Sequence, residues 1–220
     1  MAFVNHDDAW VIKLAQAITH QHSYAVEDAA FKVIQQVPNI QIHYQNSLIV
    51  SPLMGLHNLQ NIRAGIEIAR AFDLTAEQIQ AGIQAYSPQN NRSQWVEGQN
   101  QNKVLLDAYN ANPSSVEMAL KTFAAIDGAK WVLLGDMFEL GDYEASEHQA
   151  ICDLAASFDF EQIVLVGKAF SKVTLPSSNV SAFETVDTAM QFVQSQAVHQ
   201  KTILIKGSRG MKMEVFKDLF

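Results

Sequence analysis

Four short segments place amide, carboxylate, hydroxyl and cationic side chains where a strand or loop gives way to a helix. In Gly55-Leu56-His57-Asn58-Leu59-Gln60-Asn61, Asn58 and Asn61 stand three apart on one face at the positively polarised end of a helix. Amides there can pair with the donor and acceptor edge of an adenine; the plainer reading makes Asn58 a helix cap. Asp107-Ala108-Tyr109-Asn110-Ala111-Asn112-Pro113 runs from a strand end into a helix with proline in its first turn. An aspartate at that edge suits ribose hydroxyls. Asn112 as an N-cap explains one residue but not the Asp, Tyr and Asn before it. Leu134-Gly135-Asp136-Met137-Phe138-Glu139-Leu140-Gly141 carries two carboxylates that suit a cation or an amine, or form a solvated turn. Ile205-Lys206-Gly207-Ser208-Arg209-Gly210 offers a cation, a hydroxyl and free backbone N–H groups for an anion, with Lys206 and Arg209 as surface charges the plainer alternative.

Other chemistries are excluded by spacing. No two of the ten glycines stand two residues apart, so no G-x-G-x-x-G dinucleotide fingerprint exists and a dinucleotide oxidoreductase is unsupported. Gly167-Lys168 is the one Gly-Lys pair, but position 162 is Gln and position 169 is Ala, so there is no P-loop. His20-Gln21-His22 lies in an expected loop without a third ligand, His148 has no second histidine four residues away, and no metal site is assigned. Cys152, the single cysteine, excludes an internal disulfide and reads as core. Met118, Met137, Met190, Met211 and Met213 read as packing.

The elements that must position these groups change character along the chain. The first part reads as a strand over Ala2–Asn5, a helix over Asp8–Ile18 capped by Asp7 or Asp8, and short runs over Phe31–Val37, Ile40–Tyr44 and Ser47–Val50 that form an antiparallel meander closed by Pro52. Helices follow over Asn58–Phe72 and Ala76–Tyr86, the second opened by a Thr75…Gln78 capping box. The polar stretch Ser87–Ser93 is the candidate domain boundary. Beyond it, strands over Val104–Asp107, Lys130–Leu134, Gln162–Val166 and Thr202–Ile205 alternate with helices over Pro113–Ile126, Glu144–Phe158, Val186–Gln196 and Lys212–Leu219. The strands are continuous apolar runs, as strands covered on both faces are, so an α/β fold with a parallel sheet is expected.

Bulk properties narrow the partners. Of 220 residues, 48% are hydrophobic, enough for a core. Fifteen Lys and Arg against 23 Asp and Glu give a net charge of −8, which disfavours nucleic acid and anionic membranes as partners. No apolar stretch reaches the length of a membrane span, and no signal peptide opens the chain, so a cytoplasmic location is expected.

Taken in chain order, the first three of these segments, with Asn90-Asn91-Arg92-Ser93-Gln94 and Lys206-Gly207-Ser208, resemble the Mur ligase family, and Tyr-Asn-Ala-Asn with Gly-Asp-Met-Phe-Glu-Leu-Gly favours its dipeptide-adding branch. The resemblance implies that residues 1–87 are the C-terminal portion of the family's central ATP-binding domain. It makes 88–220 the complete Rossmann-like C-terminal domain. It implies an ATP-dependent amide ligase that forms an acyl phosphate from UDP-N-acetylmuramoyl-tripeptide, which the amine of D-alanyl-D-alanine then attacks. Carried onto this chain, His57, Asn58 and Asn61 lie by the adenine, Arg92 near the phosphates and Asp107 near the ribose. Tyr109, Asn110 and Asn112 line the interdomain cleft, and Lys206 and Ser208 face the substrate. The family's P-loop, magnesium-binding Glu and His, carbamylated Lys and UDP-binding domain have no counterpart here. The chain is therefore expected to be a truncated product or fragment, inactive alone, binding neither ATP nor Mg2+ tightly and self-associating through residues 1–87. The competing expectation is a stand-alone α/β binding or complementation module without catalysis.

Overall fold

A computed structural model describes residues 1–26 and 28–220. The chain divides into two compact units, Met1–Ser87 and Pro88–Phe220.

In the first unit, β1 (Ala2–Asn5) is followed by α1 (Ala9–Ala15), whose first amides at Trp10 and Val11 are capped by the Asp8 carboxylate. β2 (Gln21–Tyr24) pairs parallel to β1, so His20-Gln21-His22 enters a strand where a loop was expected, with the His22 ring 5.4 Å from that of Phe3. β3 (Phe31–Gln35), β4 (Gln41–Tyr44) and β5 (Ser47–Val50) form the expected antiparallel meander. α2 (Leu56–Ala71) and α3 (Ala76–Ala85) cover it, burying Leu59, Ile62, Ile66 and Ile79 against Phe31, Ile42 and Ile49. Thr75 and Gln78 close the expected capping box on α3. Asn58 does not cap α2: Gly55 takes that place at φ +84°, which favours a residue without Cβ, and Asn58 lies inside the first turn with Nδ2 donating to the Met54 carbonyl at 2.9 Å.

Arg63, only 1% exposed, ties this unit together. Its Nη2 lies 2.5 Å from Asp28, its Nη1 3.1 Å from Glu67, and its Nε donates to the Ala25 carbonyl. Burial pushes the Asp28 carboxyl upward, but the Ala30 N–H and the Arg63 charge outweigh it and hold the group below its usual range.

The second unit is a six-stranded sheet covered by helices. Along the chain come β6 (Gln94–Glu97), β7 (Lys103–Asp107), α4 (Pro113–Ala124), β8 (Lys130–Gly135), α5 (Glu144–Ala156), β9 (Gln162–Val166), β10 (Val180–Phe183), α6 (Val186–Ser195) and β11 (Thr202–Lys206). The sheet order is β10-β9-β8-β11-β7-β6, parallel throughout except for β6, which runs antiparallel to β7 at the edge. β11 inserts between β7 and β8, so Lys206 falls directly beside Asp107 on one side and Leu134 on the other. The final segment, Met213–Leu219, is a 3-10 helix and not an α-helix. Lys212 enters it at φ +52°, and Met213, Phe216 and Phe220 are buried on the sheet. Tertiary packing sets its geometry over helix propensity.

Replacing Arg63 by alanine takes the donor from Asp28 and the Ala25 carbonyl and leaves Glu67 with Arg70 alone, and should destabilise the first unit by about 2 kcal/mol. Hydrogen exchange over residues 31–50 reads this directly: protection there falls while that of the second unit is unchanged. Arg63→Lys recovers part at most, because one ammonium cannot replace a fork of donors facing three acceptors.

Candidate functional site

The carboxyl ends of β7 and β11 carry the densest cluster of the expected residues. Parallel strands finish at the same level, which brings Asp107 and Lys206 side by side. Lys206, 3% exposed, donates from Nζ to Asp107 Oδ2 at 2.7 Å and to the Asn110 carbonyl at 3.1 Å. It is therefore no surface charge. A buried ammonium needs such partners, because an unpaired one would carry an uncompensated desolvation cost. Asp107 Oδ1 accepts the Ser93 backbone N–H at 3.0 Å, which fixes the loop carrying Arg92. The Arg92 guanidinium stacks on Tyr109, its carbon 3.7 Å from the ring centroid, and that of Arg209 lies 5.5 Å from the same ring. Hydrogen bonding and charge from Arg92, then the charge of Arg209, hold the Tyr109 phenol below its usual range. Asn112 caps α4: its Oδ1 accepts the Ser115 N–H at 2.9 Å while Ser115 Oγ accepts the Asn112 N–H at 3.1 Å.

The neighbouring loop, Gly135–Gly141, is held by groups whose roles the sequence concealed. Asp136 is 5% exposed and accepts the Ala169 and Phe170 N–H groups, each at 2.9 Å. It is therefore not the solvated turn residue of the plainer reading, and its carboxylate is occupied by backbone donors. Gly167, at φ +131°, sits against it: a Cβ there would lie 2.2 Å from the Asp136 carboxyl carbon. His148, fully buried, accepts the Met137 N–H at Nε2 and contacts the Glu144 carbonyl through Nδ1 at 2.7 Å. The ring is thus a donor at Nδ1 and an acceptor at Nε2. Ser208 Oγ accepts the Phe138 N–H at 3.1 Å. No local sequence signal marks these bonds, since their partners are backbone amides from other segments.

A cleft of about 480 Å³ opens beside this loop, lined among others by Lys168, Lys172, Glu144 and Glu184. Sequence reasoning singled out none of these four for a site. Its mixed charges suit a zwitterion.

His57, Asn58 and Asn61 lie apart from that cluster in sequence and belong to the first unit, in the opening turns of α2. Asn58 and Asn61 border an apolar cleft of about 400 Å³ between α2 and α3, walled by Ile62, Ile66, Ile79 and Ile83. Among the described residues no group of three or more His, Cys, Asp or Glu side chains is arranged to hold a metal ion. Among the same residues no helix is long and apolar enough to cross a membrane.

Lys206→Met leaves the Asp107 carboxylate without its ammonium and should cost about 3 kcal/mol in urea unfolding, with Lys206→Met/Asp107→Leu recovering most of it. Cys152 is wholly buried, and burial, aided by Asp153, pushes its thiol from 9.0 up to about 11. The unfolded thiol ionises first, so the stability this group contributes is complete below the unfolded value. It is lost as pH rises through the folded value. Iodoacetamide at about pH 8 should therefore leave Cys152 unmodified in the folded chain and label it in urea.

Known proteins are similar to this chain in sequence and fold. The family described as "Mur ligase, glutamate ligase domain" matches residues 91–209. UDP-N-acetylmuramoyl-tripeptide–D-alanyl-D-alanine ligase of Treponema pallidum is 36% identical over 186 residues, covering 81% of this chain and 40% of that protein. The crystal structure of MurF from Acinetobacter baumannii superposes with a TM-score of 0.82 at 26% identity, covering 97% of this chain and 50% of that one. MurF ligase from Thermotoga maritima in complex with ADP shares the fold, with a TM-score of 0.75 at 15% identity over 96% of this chain and 51% of that one. The chain thus spans between 40% and 51% of the length of these relatives. On the match over 91–209 and the strand-end cluster it contains, the chain belongs to the Mur ligase family.

Proposed function

We propose that this chain is the C-terminal part of an ATP-dependent ligase that joins D-alanyl-D-alanine to UDP-N-acetylmuramoyl-tripeptide. Residues 1–87 belong on this reading to its central ATP-binding domain, and residues 88–220 form its C-terminal domain. The observation that carries the reading is the convergence of Arg92, Asp107, Tyr109, Asn110 and Lys206 at the carboxyl ends of β7 and β11, the edge at which open parallel sheets take ligands.

Each group has a chemical role in that reading. The apolar cleft beside Asn58 and Asn61 suits an adenine ring, with amides at its rim for the base edge; His57 stands in the same turn. Asp107 keeps acceptor capacity beyond its bonds to Ser93 and Lys206, enough for a ribose hydroxyl. Arg92 serves a phosphate. Lys206 acts through Asp107 and the Asn110 carbonyl, as a positioning residue. Ser208 does the same for the Phe138 amide. Tyr109, Asn110 and Asn112 line the same edge. The cleft with Lys168, Lys172, Glu144 and Glu184 matches the opposite charges of a dipeptide zwitterion. ATP supplies the phosphoryl group that activates the tripeptide carboxylate, and positioning with charge neutralisation carries most of such a transfer. The described carboxylates and histidines do not cluster to hold Mg2+, so no step is assigned to a metal on this chain. Trp10 and Leu14, 71% and 78% exposed on α1, support self-association of the isolated chain through residues 1–87.

The 220 residues contain no P-loop. The purified chain should therefore release no phosphate from ATP when both substrates are added. Combined with a polypeptide that supplies the family's P-loop and UDP-substrate domain, it should release phosphate only when tripeptide and dipeptide are both present. Asp107→Ala/Lys206→Ala should abolish that release. Substrate-dependent release by the chain alone, above that of the double variant, would sink the reading.

A further inference from the structure

Arg92 and Arg209 come from segments more than a hundred residues apart, yet both guanidiniums lie on the ring of Tyr109, at 3.7 and 5.5 Å from its centroid. Among the described residues no carboxylate lies within ion-pair distance of either one. Two like charges brought to one aromatic ring without a counterion repel each other, in a chain whose net charge is −8 and which has acidic residues to supply. Lys206, the other cation of this edge, is buried and held by Asp107. The Arg209 loop is also fixed on both sides. Ser208 is bonded to the Phe138 amide, and Gly210 packs so closely on the Phe138 ring that a Cβ would meet it at 2.7 Å. We propose that Arg209 is a second oxyanion-binding residue, which with Arg92 and the face of Tyr109 forms a two-arginine clamp for the paired oxygens of a phosphate or carboxylate. Each guanidinium carries five N–H donors, so those that the Tyr109 hydroxyl does not engage remain for such oxygens, which accept paired bonds from a planar fork. The clamp rests on the ligase reading only for which oxyanion arrives.

The full chain labelled with 13Cζ-tyrosine tests this, with the Tyr109 signal assigned from Tyr109→Phe. Inorganic phosphate, ATP and D-alanyl-D-alanine are titrated separately. A saturable Tyr109 shift is expected, weakened about tenfold in Arg92→Ala and equally in Arg209→Ala, and not restored by Arg209→Lys. Response to phosphate and ATP assigns the clamp to a phosphoryl group; response to D-alanyl-D-alanine alone assigns it to a carboxylate. Arg209→Ala titrating like the wild type overturns the proposal, and if Arg92→Ala is still weakened, the phosphate role of Arg92 survives it. No saturable shift with any of the three probes also overturns the clamp, while the ligase reading stands or falls by phosphate release in the reconstituted assay.

Discussion

Lys206 and Asp107 end adjacent parallel strands at the same level, and that register governs the polar cluster at the carboxyl ends of β7 and β11. Both faces of β11 are buried, Ile203 and Ile205 on one and Leu204 on the other, so a slip of one residue would force each set into packing shaped for the other, and that packing enforces the pairing at the strand's end. With register fixed, the buried ammonium finds its carboxylate, the carboxylate finds the Ser93 amide, and Arg92 is delivered to Tyr109. One constraint in the sheet thus becomes a chain of polar contacts above it.

The adjoining loop obeys the same logic with different groups. Asp136, His148 and Ser208 each accept backbone N–H groups, so Gly135–Gly141 is held by polar side chains that are themselves buried. These bonds leave the residues around the edge to meet a ligand: Arg92, Tyr109, Asn110 and Arg209 are at least partly exposed, while Lys206, Asp136, His148 and Ser208 are not. The division separates groups that position from groups that can bind. Lys206 falls on the buried side of that division, its ammonium engaged by Asp107 and the Asn110 carbonyl.

Much of this was legible in the sequence, for physical reasons. The four central strands are continuous apolar runs because both faces are covered, and such runs stand out. The Thr75 and Asn112 caps follow local rules and were readable as such. β6 and β10 were not, because edge strands are paired on one side only and Gln-Trp-Val-Glu and Val-Ser-Ala-Phe lack an apolar run. Asn58 reads as a cap by residue type, but Gly55 takes the start of α2 through its backbone conformation. The end of the chain has helical spacing, yet packing of Phe216 and Phe220 on the sheet sets a tighter turn. The roles of Asp136 and His148 depend on amides that only the fold brings to them.

The central claim is that ligands meet the second unit at the carboxyl ends of β7 and β11. Amide chemical-shift mapping of the 15N-labelled chain with millimolar ADP tests it most directly. The account predicts that shifts in the second unit concentrate at Arg92, Asp107, Tyr109 and Asn110, leaving Lys130, Gln162 and Thr202 at the opposite edge of the sheet unmoved. Shifts centred on that opposite edge, or none at the carboxyl ends, would contradict it.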